Sequence, residues 1–174
     1  EKEEYLSAQG LLAFQVFRDL FKIQNLPNDL ALNVRTLSIL FTDLKGSTTL
    51  YERLGDASAF TLVRKHFRWI RDAVTQHKGA IVKTIGDAVM AVFSTPLDAV
   101  RAALAMQQTM AKSDCRDDLL LRVGVHCGPA LVVSAEGHMD YFGRTVNVAA
   151  RLESTSGPDE VVISKEVSKS PGVA

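Results

Sequence analysis

The chain has 174 residues, 47% hydrophobic and 23% charged, which is one soluble domain's worth with length enough for a sizeable core. Its 20 basic and 20 acidic residues cancel, and no basic run stands out, which excludes broad nucleic-acid binding. No apolar run approaches the roughly 18 residues of a transmembrane helix, no signal-peptide pattern opens the chain, and Cys115 and Cys127 form neither a CxxC pair nor a zinc spacing with the four histidines.

A reduced, cytoplasmic setting is expected. The chain opens on Glu1 rather than Met, which points to a piece of a longer protein.

Residues 4–24 read as a helix with Leu6, Ala13, Phe17 and Leu20 on one stripe, ended by Asn25-Leu26-Pro27-Asn28. Residues 1–30 are therefore expected as an N-terminal linker helix ahead of the main fold in residues 31–174. It is either a packing helix or a relay from an upstream regulatory domain. Residues 35–43 read as the first strand, and Gly46-Ser47-Thr48 open a short helix to about Leu54.

Asp56 is expected to cap a longer helix to about Gln76, with Phe60, Val63, Phe67, Ile70 and Val74 buried and Gly79 at its C-terminal cap. Residues 80–85 and 88–93 form two strands around Gly86-Asp87, a hairpin signal. Pro96 starts the next helix, whose buried face is expected to carry Leu97, Val100 and Leu104. Residues 113–118 are a polar loop. Residues 119–127 make a strand that Gly128-Pro129 turns into residues 130–134.

Gly143 precedes a helix over about 145–153, and residues 160–164 make a last short strand. Residues 168–174 read as a polar, frayed tail. The fold class is α+β: a ferredoxin-like βαββαβ sheet, helices on one face, with an added α-β unit and the N-terminal helix.

Two carboxylates stand at the ends of apolar strands. Asp43 closes Leu37-Ser38-Ile39-Leu40-Phe41-Thr42, and Asp87 stands between two apolar runs. A carboxylate in such a place is costly unless a cation or hydrogen-bond donors meet it. Taken alone, Asp43 could cap the following helix and Asp87 could be a turn residue. With the first strand beside the strand that feeds the hairpin, the two would face each other and invite Mg²⁺ or Mn²⁺.

The backbone N–H groups of Ser47 and Thr48 would offer a phosphate cradle. No GxxxxGK[ST] or GxGxxG pattern is present, so neither a P-loop nor a dinucleotide fingerprint is involved. Asn147 and Arg151 are four residues apart and share one helix face.

Three segments carry a resemblance. They are Leu40-Phe41-Thr42-Asp43-Leu44-Lys45-Gly46-Ser47-Thr48, Val82-Lys83-Thr84-Ile85-Gly86-Asp87, and the run from Asp140 to Arg151. Together they resemble the class III adenylyl and guanylyl cyclases over about residues 35–165, most like bacterial soluble cyclases whose catalytic domain follows a large regulatory region.

The resemblance implies that Asp43 and Asp87, with the Leu44 carbonyl, hold two ions of Mg²⁺ or Mn²⁺. Lys83 and Asp140 would select the purine, Asn147 would orient the ribose, and Arg151 would stabilise the transition state. It implies sites shared between the two chains of a head-to-tail homodimer, and conversion of ATP to 3′,5′-cyclic AMP and pyrophosphate.

A Lys donor and an Asp acceptor match N1 and the C6 amine of adenine and mismatch guanine. Guanylyl cyclases of the family typically carry Glu and Cys there. The rival readings are a guanylyl cyclase and a non-catalytic cyclase-like module that binds nucleotide or dimerises. Family members usually carry a further strand pair after Val161-Val162-Ile163-Ser164, with a phosphate-contacting Lys, and this chain lacks that segment. Ser47 stands where many members have Phe, and Arg144 where many have Asp, Asn or Gln.

Overall fold

A computed structural model describes residues 32–113, 119–135 and 138–173, together with Gly10, Ala13 and Gln15. The expected linker helix and the polar loop of residues 113–118 lie almost wholly outside them. In chain order the elements are β1 (Leu32–Lys45), α1 (Ser47–Leu54), α2 (Asp56–Gln76), β2 (Ala80–Ile85), β3 (Ala88–Phe93), α3 (Pro96–Ala111), β4 (Leu120–Ala135), β5 (His138–Phe142), α4 (Arg144–Thr155), β6 (Val161–Ile163) and α5 (Lys165–Ser168).

The strands form one six-stranded sheet in the order β2-β3-β1-β4-β5, with β6 parallel to β4. The expected βαββαβ plan is therefore present, with the added α-β unit.

The central neighbour of β1 differs from expectation. It is β3, the strand leaving the hairpin, and not β2, which feeds it. The helical crossover through α1 and α2 carries the chain past one strand position. The tight turn at Gly86, with φ +62°, then folds β3 back into the gap. The consequence for Asp43 and Asp87 is favourable. Thr42 is level with Val89, so Asp43 is level with Ala88 and one residue from Asp87.

Alternation along β1 feeds two cores. Leu40 and Leu44 pack with Val63, Ile70 and Val74 of α2 and with Ala99, Ala103 and Met106 of α3. Leu37, Ile39 and Phe41 pack with Met90, Val92, Val132, Met139, Tyr141 and Ala149 of α4. Each fully buried Leu or Ile contributes about 1.5–3 kcal/mol. The helices thus cover both faces, α2 and α3 on one and α4 on the other, and not one face as expected.

Glycine seats α4. A Cβ on Gly124 would strike the backbone N of Glu153 and the carbonyl O of Ala149.

Several local expectations need correction. Gly55, not Asp56, is the N-cap of α2, and Asp56 is its first residue. Phe60 is 56% exposed, with the Arg64 guanidinium over its ring, and His66 takes a core position instead. Leu104 is also exposed, because Ala99, Ala102, Ala103 and Met106 form the buried stripe of α3. Lys78, φ +57°, takes the left-handed position after α2, while Gly79 is small because the Phe93 ring lies against it.

Gly128-Pro129 does not turn the chain. β4 runs straight through it, and a bulge in β1 between Val34 and Leu37 absorbs the missing Pro N–H. The strand β5 carries Asp140 and has no counterpart in the expected elements. As far as Val173 the tail is not frayed: Val173 N bonds to Ser170 O at 3.2 Å, and Val173 packs on the core.

Candidate active site

Lys83 of β2 and Asp140 of β5 come from the two ends of the sheet path, yet Lys83 Nζ donates to Asp140 Oδ2 at 2.5 Å. The other oxygen of Asp140 accepts the Tyr141 N–H at 2.8 Å, which fixes the carboxylate. The Asp140 side chain is 14% exposed and that of Lys83 40%, so one surface is left open for a ligand edge.

The register brings Asp43, at the end of β1, to within one residue of Asp87 at the tip of the β2–β3 hairpin. Asp43 does not stand free. It is level with Arg122 of β4, whose Nη2 donates to Asp43 Oδ2. That bond, more than any other contact, holds the guanidinium above its ordinary pKa. Arg122 Nη2 also lies 3.3 Å from Glu153 Oε1 of α4. Burial pushes the Glu153 carboxyl up, and Arg122 opposes this.

Sequence reasoning missed Arg122 and Glu153. An arginine inside the apolar run Leu119-Leu120-Leu121-Arg122-Val123 is the signal that could have found the first. Glu153 becomes relevant only once α4 is laid on Gly124.

The donor set suits a hard divalent cation. Asp87 Oδ2 is buried without a hydrogen-bond partner, an expensive state for a carboxylate oxygen. Among the described residues no group of three or more His, Cys, Asp or Glu side chains is arranged to hold a metal. Two carboxylates are enough for Mg²⁺ when a substrate's phosphates complete its shell. Asp43, Asp87 and the Leu44 carbonyl are the residues that would hold it.

Ser47 and Thr48 begin α1 after Gly46, whose φ of +82° makes the turn that leaves the first helical N–H groups without an intrahelical acceptor. Asn147 and Arg151 project from α4 as expected; both are exposed. No hydrogen bond or ion pair among the described residues joins either of them to Asp43 or Asp87.

His126 of β4 is tied to the fold: its Nδ1 lies 2.7 Å from Ser164 Oγ at the N-cap of α5. A groove of about 420 Å³ lined by Arg64, Phe67, Arg68, Arg71, Ile81 and Thr84 contains none of the expected site residues. No described helix is long and apolar enough to cross a membrane.

The chain is similar to known proteins in sequence and fold. The family described as "Adenylate and Guanylate cyclase catalytic domain" matches residues 31–171. The adenylate cyclase of Streptomyces coelicolor is 35% identical over 129 residues, covering 74% of this chain and 32% of that protein. The chain spans about a third or less of the curated relatives it matches.

Among solved structures, the adenylyl cyclase CyaB from P. aeruginosa superposes with a TM-score of 0.72 at 29% identity, covering 80% of this chain and 81% of that one. Trypanosoma brucei adenylate cyclases in their monomeric state give 0.71 at 26% identity, with 77% and 75% covered.

Proposed function

Since the chain belongs to the adenylate and guanylate cyclase catalytic domain family, we propose that it acts on ATP, forming 3′,5′-cyclic AMP and pyrophosphate at sites shared by two copies of itself. The observation that carries the adenylyl reading is the Lys83–Asp140 pair. Lys83 Nζ can donate to adenine N1, and the Asp140 carboxylate can accept from the C6 amine. Guanine would present an N–H to the lysine and a carbonyl to the aspartate, leaving buried polar groups unpaired.

Asp43, Asp87 and the Leu44 carbonyl would hold two Mg²⁺ or Mn²⁺ ions. Bound there, such ions lower the pKa of the attacking ribose 3′-hydroxyl and neutralise the triphosphate. The Ser47 and Thr48 N–H groups stand at the start of α1, where an anion is favoured. Asn147 orients the ribose from α4. Arg151, one turn on, offsets charge that develops on the α-phosphate and the leaving group.

Exposed surfaces support the dimer reading. Asn147 and Arg151 are exposed, and no hydrogen bond or ion pair among the described residues joins them to the acidic pair of their own chain. Apolar side chains also face solvent beside the site, Ile85 at 53% and Phe142 at 50% exposure. A second copy covering them would bring its α4 to the first copy's acidic pair.

The test is product analysis of the protein with ATP and with GTP, in Mg²⁺ and in Mn²⁺, over a range of protein concentration. Cyclic AMP should dominate, and specific activity should climb with concentration. Cyclic GMP as the main product overturns the base assignment. Specific activity independent of dilution, in a protein that sediments as a monomer, overturns the shared site.

A further inference from the structure

Three buried polar atoms around the Asp43 carboxylate lack a hydrogen-bond partner: Asp87 Oδ2, Arg122 Nε and Glu153 Oε1. They belong to one cluster. Arg122 bonds to Asp43 through Nη2, and the same nitrogen stands 3.3 Å from Glu153 Oε1 without hydrogen-bond alignment. A guanidinium is built for two-point contact with a carboxylate, and here its Nε is idle. A half-satisfied network in a low-dielectric site is costly, so the arrangement makes physical sense as one of two states.

The charges indicate the second state. Asp43, Asp87 and Glu153 carry three formal negative charges against the single positive charge of Arg122, a deficit that one divalent cation neutralises. If the cation takes Asp43 and Asp87, Arg122 must leave Asp43. Glu153 is the acceptor already within reach, and a small reorientation lets the fork meet both of its oxygens.

We propose that Arg122 is a resident counter-cation for Asp43, and that Glu153 is the positioning residue that receives its guanidinium when a divalent cation binds the Asp43–Asp87 pair. This rests on the metal reading given above and adds the exchange. The exchange links β4 to α4 across Gly124, and α4 is the helix whose other residues include Asn147 and Arg151. Cation arrival at one site therefore firms the helix that a dimer would lend to the other.

The test is Mn²⁺ binding without nucleotide, read from the paramagnetic resonance signal of free Mn²⁺. Wild type is compared with Arg122→Met, Glu153→Gln and the double variant. Arg122→Met removes a competitor and should bind about tenfold more tightly. Glu153→Gln should bind several-fold more weakly than wild type.

The double variant removes one charge of each sign and so remains foldable if Arg122→Met is not. It should bind like Arg122→Met, because Glu153 acts only through Arg122. An Arg122→Met or double variant that binds no tighter than wild type overturns the counter-cation. A Glu153→Gln penalty of equal size in both backgrounds overturns the receiving role, because a mere negative charge near the ion would act additively. Wild type that binds no Mn²⁺, like Asp43→Asn, sinks the metal reading itself; wild type that binds while Arg122→Met fails to tighten sinks the exchange alone.

Discussion

Lys83 and Asp140 form an ion pair at 2.5 Å although β3, β1 and β4 lie between their strands in the hydrogen-bonding order. In a flat sheet, strands about 4.8 Å apart would hold them nearly 20 Å from each other. The pair therefore reports a strongly curled sheet. The bulge at Val34–Leu37 bends β1, and the Gly128-Pro129 step lies opposite it in β4. The apolar contacts of Met139 and Tyr141 with Leu37, Ile39 and Met90 hold the curl closed.

Base choice should follow this pair. In Lys83→Glu with Asp140→Cys, the carboxylate can accept from guanine N1–H and the thiol can donate to O6. The ratio of cyclic AMP to cyclic GMP formed from equal ATP and GTP should fall by about 10²-fold or more. An unchanged ratio in a folded double variant would remove these residues from purine selection.

The shared site predicts complementation. Asp43→Asn and Arg151→Ala should each be nearly inactive, the first through the acidic pair and the second by roughly 10²–10³-fold in kcat. An equal mixture should recover about a quarter of wild-type activity. Half the dimers are then mixed, and each holds one intact site and one doubly impaired site. Activity that stays at the level of the separate variants counts against a dimer.

His66 should make stability depend on pH. It is fully buried in α2, neither ring nitrogen has a partner, and burial lowers its pKa to about 4, with Asp43 pulling the other way. The folded state binds this proton later than the unfolded state does. The associated stability is therefore complete above about pH 6.5 and is lost as pH falls toward about 4, by a total of about 3 kcal/mol. His66→Phe should flatten the melting temperature profile between those limits. Parallel profiles for the two proteins would refute this.

Gly124 should tolerate no side chain. Gly124→Ala drives a methyl group into the α4 backbone at Ala149 and Glu153. A loss of about 1–3 kcal/mol in denaturant unfolding is expected, because backbone on both sides cannot yield. Gly143→Ala is the contrasting control: its Cβ meets nothing within 4 Å, and its φ of +123° leaves only backbone strain to oppose it.

Local pattern was enough to find β2, β3, the hairpin at Gly86-Asp87 and the Pro96 start of α3, because alternation, turn chemistry and helix caps act over a few residues. The same locality singled out Asp43, Asp87, Asn147 and Arg151 as candidate site residues, while Lys83 and Asp140 took their proposed roles from the family resemblance.

What the sequence could not decide was adjacency. Whether β1 lies by β2 or β3, that Pro129 sits against a bulge, that β5 curls back to Lys83, and that Arg122 rather than solvent meets Asp43 all depend on strands far apart in the chain. Burial misled at Phe60, Leu104 and His66 for a related reason. A helix's periodicity shows that a face is apolar, but only the neighbouring element fixes which side chains it covers.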